Sequence, residues 1–373
     1  MNPEEILENT YQAACLHRNS PFFADPDIGR RIEIISRNIH NRAGTRVILA
    51  CALAKLAEPD IDIRKPYTEI GAADAFSERT YDERYISPFI TKHELPCNPT
   101  TAFLTPALRN RNTTLTPEVN LSGRPKEVYQ ALLELLTDVH RGRISAEQLL
   151  AETLRQLIVF RDEKRQRMDS LLAGLKSTPM DILLSAETIV TIIEQHLACK
   201  GSSRLPVLIV VAAYQAAQEY LQESLLPLEA HNAADSQTCA LGDIQITLMD
   251  GENIITCYEM KMKRVTVGDI DLAVQEKLAK TTHPIDNYIF ITTDIITPEA
   301  QEYAKSMYDK IGIEIVILDC IGFLRHFLHL FHRLRGQFLE AYQQLVLNEP
   351  ESAVTQPLKE VFLTLRQSAE SSG

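Results

Sequence analysis

The chain has 373 residues, 45% hydrophobic and 24% charged, the make-up of an ordinary globular protein long enough for two domains. Its seven cysteines (Cys15, Cys51, Cys97, Cys199, Cys239, Cys257, Cys320) are odd in number and never spaced C-x-x-C, which argues against a zinc site or a secreted disulfide framework and for a reducing cytoplasm. A net charge of −12 weighs against a nucleic-acid partner, but the acidic excess falls almost wholly after residue 130, and the local field of a cleft decides binding.

Residues 3–17 and 28–57 read as helices, the second through Ile32, Ile35, Ile39, Val47, Ile48 and Leu49 at helical spacing. Gly44 costs that helix about 1 kcal/mol relative to alanine and is a place where it can break. Arg30, Arg31, Arg37, Arg42 and Arg46 make it basic, which suits following phosphates and equally a solvated helix face. Residues 58–123 are rich in Pro, Asn, Thr and Arg, poor helix material and long for a simple loop, so they are expected to carry a function. Helices resume at 124–141, opened by Pro125, at 145–167 and at 184–198, and Gly201-Ser-Ser marks a boundary.

The second half changes character. Residues 206–225 read as a buried helix, and the apolar run Leu205–Tyr214 is too short to span a bilayer. Residues 243–248 and 254–263 alternate polar and apolar, as strands do, with Asp250-Gly251 as a hairpin turn between them. A helix (267–280), a strand (288–292), a helix (298–310), a strand (314–318) and a helix (321–347) follow, which together make an α/β core. The expected organisation is a mainly helical region 1–200 with a recognition segment at 58–123, a core at 201–348 and a partly disordered tail at 349–373.

Period-two geometry puts Glu259, Lys261 and Lys263 on one face of their strand and Asp243, Gln245 and Thr247 on one face of the preceding one. The hairpin can then bring Asp243 to Glu259 and Lys261. Two carboxylates supply hard oxygen ligands for Mg2+, with the Met260 carbonyl as a third, and the metal lowers the pKa of an attacking water that the lysine positions. Such a site suits phosphodiester hydrolysis. A bare E-x-K is as well explained by a cross-strand ion pair; the GD on the partner strand tips the balance. Upstream, His231 is a candidate phosphate contact. Downstream, Gln275 and Lys277 sit where a helix approaches a DNA backbone.

The pattern GD-x(15)-E-x-K resembles the PD-(D/E)XK nuclease superfamily, with Gly242 where that motif often has proline. That resemblance implies an additional acid from the helix before the strand, for which Glu229 is the candidate. The run DIRKPYTEIGAADAFSERTYDERYISPFI, continuing to LPCNPTTAFLTPALRN, resembles the type II restriction endonucleases named for SacI, through Asp62, Arg64, Ala75, Phe76, Ser77, Arg79, Thr80, Asn98, Pro99, Phe103 and Arg109. The resemblance implies a PD-(D/E)XK core of mixed sheet flanked by helices, and a cytoplasmic homodimer that cuts both strands of double-stranded DNA at a short palindrome. It also implies a cognate DNA methyltransferase as genetic partner. Arg79, Arg84, Arg109 and Arg111, with Asn98, Asn110 and Asn112, suit base reading, because arginine pairs with guanine and asparagine with adenine through bidentate hydrogen bonds. The competing readings are a structure-selective repair or junction-resolving nuclease on the same fold, and a non-catalytic DNA-binding protein. Neither a glycine-rich cofactor loop nor a Walker loop is present, which disfavours a methyltransferase and ATP-driven cutting.

Overall fold

Helix-starting chemistry recurs along the first part of the chain. Asn2 caps α1 (Pro3–Leu16) by accepting the Glu4 N–H, and Asp25 caps α2 (Pro26–Ser36) by accepting that of Asp27. The computed structural model describes residues 2–38, 42–98, 101–109, 111–176, 184–228, 241–249, 251, 253–281 and 285–372. The chain divides into two compact units, Met1–Arg167 and Met168–Gly373.

The first unit is helical. Its centre is α3 (Ala43–Ala57), in which every residue from Ala43 to Ala54 is buried, so it is apolar on all sides rather than along one stripe. The single helix expected over 28–57 is two helices, because α2 stops at Ser36, ahead of Gly44. Gly44 serves close packing instead of a kink: a Cβ there would stand 3.1 Å from Ile35 Cγ2 of α2. The described residues of 58–123 include two short helices, α4 (Glu78–Tyr81) and α5 (Ser87–Lys92), and pack Ile61, Ile63, Tyr67, Phe76 and Phe103 against α3 and α6 (Lys126–His140). Helix α7 (Ala146–Lys176) crosses the division between the units.

Two buried polar features lie beside α3. The fully buried Arg46 guanidinium donates to both carboxylate oxygens of Asp82, to the Asn98 carbonyl (2.7 Å) and to the Ser87 hydroxyl. Glu78 is also fully buried, and neither of its carboxyl oxygens has a hydrogen-bond partner among the described residues. Burial, reinforced by Asp82 and only partly offset by Arg46, pushes its carboxyl well above the ordinary range. Above about pH 4.5 an unfolded Glu78 ionises while the folded one keeps its proton, so stability falls as pH rises toward the folded value. Glu78→Gln is therefore expected to be more stable than the parent at neutral pH, with the difference closing as pH is lowered toward 4.5. Thermal unfolding across that range checks this, and parallel pH curves for the two proteins would refute it.

The second unit holds a five-stranded sheet in the order β1 (Glu223–Leu225), β2 (Ile244–Leu248), β3 (Ile254–Lys261), β4 (Asn287–Thr292), β5 (Glu314–Asp319). The β1–β2 and β2–β3 pairs are antiparallel, and β3, β4 and β5 run parallel. One face of the sheet, through Ile244, Ile246, Tyr258 and Ile291, packs with α8 (Ala186–Leu197), α9 (Leu205–Leu221), α12 (Cys320–Leu330), α13 (Arg335–Asn348) and α14 (Gln356–Ser372). The other face, through Cys257, Tyr288, Phe290, Ile315 and Ile317, packs with α10 (Val267–Leu272) and α11 (Pro298–Ile311). The protein is thus mixed α/β, with a helical first unit and a second unit whose sheet is flanked by helices. No helix among the described residues is long and apolar enough to cross a membrane.

Several boundaries differ from expectation. The helix expected to run to residue 225 ends at Leu221, because Gln222 takes a left-handed conformation (φ 56°) and the next three residues pair with β2 as β1. The helix expected over 267–280 stops at Leu272 and continues as a wide π turn, Ala273–Lys277. That expected over 321–347 breaks at Phe331 into α12 and α13. The tail from 349 is not disordered through the described residues: α14 buries Leu358, Phe362 and Leu363. The units part at 167/168 rather than at 200, because α8 buries Ile189, Val190 and Ile193 in the second unit's core.

Candidate active site

The β2–β3 register pairs Ile244 with Tyr258, which puts Asp243, the residue before β2, level with Glu259. Because β2 runs against β3, Asp243 comes to the end of β3 that carries Glu259 and Lys261, where the parallel strands terminate. Ligand sites of open α/β sheets sit at that carboxyl edge. Asp243 is solvent-exposed and accepts the Met260 N–H through Oδ2 at 2.7 Å. Gly242 allows this approach, since a Cβ on residue 242 would stand 2.6 Å from the Tyr258 carbonyl oxygen. Proline, common at this position in the motif, carries that same Cβ. Gly242→Ala is expected to cost about 1–3 kcal/mol of overpacking strain and to displace Asp243; urea unfolding would measure the first, and an unchanged midpoint would contradict it.

Glu259 lies on the face of β3 toward α10. Its Oε1 accepts from Lys261 Nζ at 3.0 Å, and its Oε2 from Lys277 Nζ at 2.6 Å and the Tyr288 hydroxyl at 2.9 Å. Burial alone would raise its carboxyl, but Lys277 and then Lys261 outweigh burial and hold it below the ordinary carboxylate range. Lys261 Nζ is also 3.8 Å from Asp269 Oδ1. Asp269 closes the capping box that starts α10: Thr266 Oγ1 accepts its N–H, and its carboxylate accepts the Thr266 N–H. Burial raises the Asp269 carboxyl, while the Thr266 hydrogen bonds and the Lys261 and Lys263 charges lower it, for a net lowering. The Tyr288 phenol is pushed up by burial and then by the Glu259 and Asp243 charges, so it stays a donor.

The structure brings Asp243, Glu259 and Lys261 together. Lys277, expected near a DNA backbone, has its ammonium on Glu259 instead, placed there from the last residue of the wide turn. Gln275 is exposed on that turn. Lys263 does not share the strand face with Lys261, because β3 ends at Lys261; it is exposed, and its carbonyl accepts from Thr292 Oγ1. Glu229, His231 and Asn110 lie outside the described residues. Tyr288 and the acid-binding role of Lys277 were missed by the sequence reading: alternation in NYIFIT marks Tyr288 and Phe290 as sharing a face, but only the β3–β4 register says that it is the face of Glu259.

Among the candidate base readers, Arg79 is exposed and paired with Glu83, Arg84 lies over the Tyr85 ring at 5.3 Å, and Arg109 is exposed. Asn98 accepts the Arg42 N–H through Oδ1, and Arg111 donates to the Ala107 carbonyl and the Ser122 hydroxyl; both fasten the segment that carries them. The expected phosphate-following helix does not hold up as a whole. Arg46 is fully buried, and Arg31 and Arg37 are paired with Asp138 and Glu163.

As a metal site, the donor set is two carboxylates, Asp243 and Glu259, beside the Met260 main chain. Among the described residues no group of three or more His, Cys, Asp or Glu forms a cage. Mg2+ keeps several waters and takes one or two carboxylates together with substrate phosphate, so this sparse oxygen set fits it. The chain matches no protein-family model and no curated protein sequence closely enough to be placed in a family.

Proposed function

We propose that the chain is a magnesium-dependent endonuclease with a PD-(D/E)XK core, acting on both strands of double-stranded DNA at a short palindromic sequence, as a type II restriction endonuclease similar to the SacI family. The observation that carries this reading is the convergence of Asp243, Glu259 and Lys261 at the carboxyl edge of β3. Asp243 and Glu259 would hold the cation, with the Met260 carbonyl beside them. A Mg2+ ion held by these residues would supply charge neutralisation at the phosphoryl oxygens and a more acidic bound water. Lys261 holds that water by a hydrogen bond as its oxygen forms a bond to phosphorus and the bond to the leaving oxygen breaks. Lys277 favours the ionised form of Glu259, and the exposure of Lys263 and Gln275 supports their role as backbone contacts.

Two-fold DNA symmetry calls for two copies of the active site, hence a homodimer, and host sites call for protection by a methyltransferase. Among the base-reading candidates, the exposure of Arg79, Arg84 and Arg109 supports that role. The test is digestion of plasmid and phage DNA with Mg2+, followed by end sequencing. Discrete fragments with one common end sequence support the reading. Cutting confined to branched DNA points to the structure-selective alternative, and DNA binding with no cutting to a non-catalytic protein.

A further inference from the structure

Asp243 and Glu259 reach the sheet edge from different strands, and to share one cation their carboxylates need a fixed separation. Groups that orient metal-binding carboxylates matter almost as much as the carboxylates themselves. Glu259 is oriented through Oε2, which accepts from Lys277 Nζ at 2.6 Å and from the Tyr288 hydroxyl at 2.9 Å. The same hydroxyl is 3.1 Å from the carbonyl oxygen of Leu241, two residues ahead of Asp243. Tyr288 is completely buried on β4, with its ring edge-on to Phe290 at 5.3 Å, so the hydroxyl cannot follow a drifting carboxylate. A single rigid hydroxyl thus lies within hydrogen-bonding distance of both segments that carry the acidic groups.

From that juxtaposition we propose that Tyr288 is a positioning residue of the metal site. It holds Glu259 by Oε2 and the chain leading to Asp243 by the Leu241 carbonyl. It thereby sets the spacing of the two carboxylates and leaves Glu259 Oε1 turned toward Lys261. The hydroxyl has one proton and donates to one acceptor at a time, yet the strand keeps both acceptors within reach. This rests on the nuclease reading above.

Tyr288→Phe keeps the ring and removes the bridge. Lys277 still partners Glu259 Oε2 in this variant, so no buried carboxylate is left alone and the fold is retained. The probe is Mn2+, titrated by calorimetry into the full chain without DNA, alongside the Mn2+ dependence of cleavage. Tyr288→Phe is expected to bind Mn2+ about tenfold more weakly and to need about tenfold more Mn2+ for half-maximal cleavage. Saturating Mn2+ is expected to restore turnover. A merely structural tyrosine would lower the melting temperature and leave the metal midpoint where it was. If wild-type protein binds Mn2+ and cuts DNA but Tyr288→Phe has the same affinity and midpoint, the Tyr288 inference falls and the nuclease reading stands. If wild-type protein neither binds Mn2+ nor cuts DNA, both fall.

Discussion

Asp243→Asn is expected to lower Mg2+-dependent DNA cleavage by about 10²–10³-fold or more while DNA binding, measured with Ca2+ in place of Mg2+, stays within a few-fold of the parent. The magnitude is that of removing one group which stabilises charge in a transition state. Asp243 gives the cleanest result, because its side chain is exposed and an asparagine carbonyl can still accept the Met260 N–H. Glu259→Gln and Lys261→Ala are expected to abolish cleavage as well, but for Glu259 a second effect enters. Lys261 and Lys277 both lean on its carboxylate, and an amide removes the negative charge that the two ammonium groups share. Unfolding measurements on the same samples separate lost chemistry from lost fold. Full activity in Asp243→Asn would remove the basis of the site.

Arg46→Met is expected to destabilise the first unit by about 3–5 kcal/mol, because it strands the Asp82 carboxylate in a fully buried position. At about 2–4 °C per kcal/mol for a unit of this size, its melting temperature falls by roughly 10 °C. The loss goes beyond one ion pair: Arg46 also holds the Asn98 carbonyl and the Ser87 hydroxyl, so it fastens the stretch from Asp82 to Asn98 onto α3. Replacing Asp82 by leucine in the same protein removes the stranded charge and is expected to recover part of the loss. Calorimetry reads both, and a change under about 1 kcal/mol in the single variant would mean that water or another group reaches Asp82.

Both results depend on things the sequence shows unequally. Asp243, Glu259 and Lys261 were legible because strand alternation and a hairpin are local rules, and Asp250-Gly251 sits between two alternating runs. Arg46 was misread. Five arginines at 30–46 look like a phosphate-binding helix, yet whether an arginine faces water or a buried aspartate 36 residues away is decided by packing. Tyr288 and Lys277 belong to the same class: each reaches Glu259 across a strand pairing or a widened helical turn that no local pattern encodes.

The sequence by itself determined strands β2 to β5 with helices between them, and the face shared by Glu259 and Lys261, because both follow from short-range periodicity and turn chemistry. It also placed Gly242 beside Asp243, though not the reason for it. Tertiary structure alone decided that α2 and α3 are separate helices, that the C-terminal segment is a packed helix, and that Glu259 is gripped by two lysines and a tyrosine. These are matters of which distant groups meet, and distance along the chain carries no information about that until the sheet register and the core are formed.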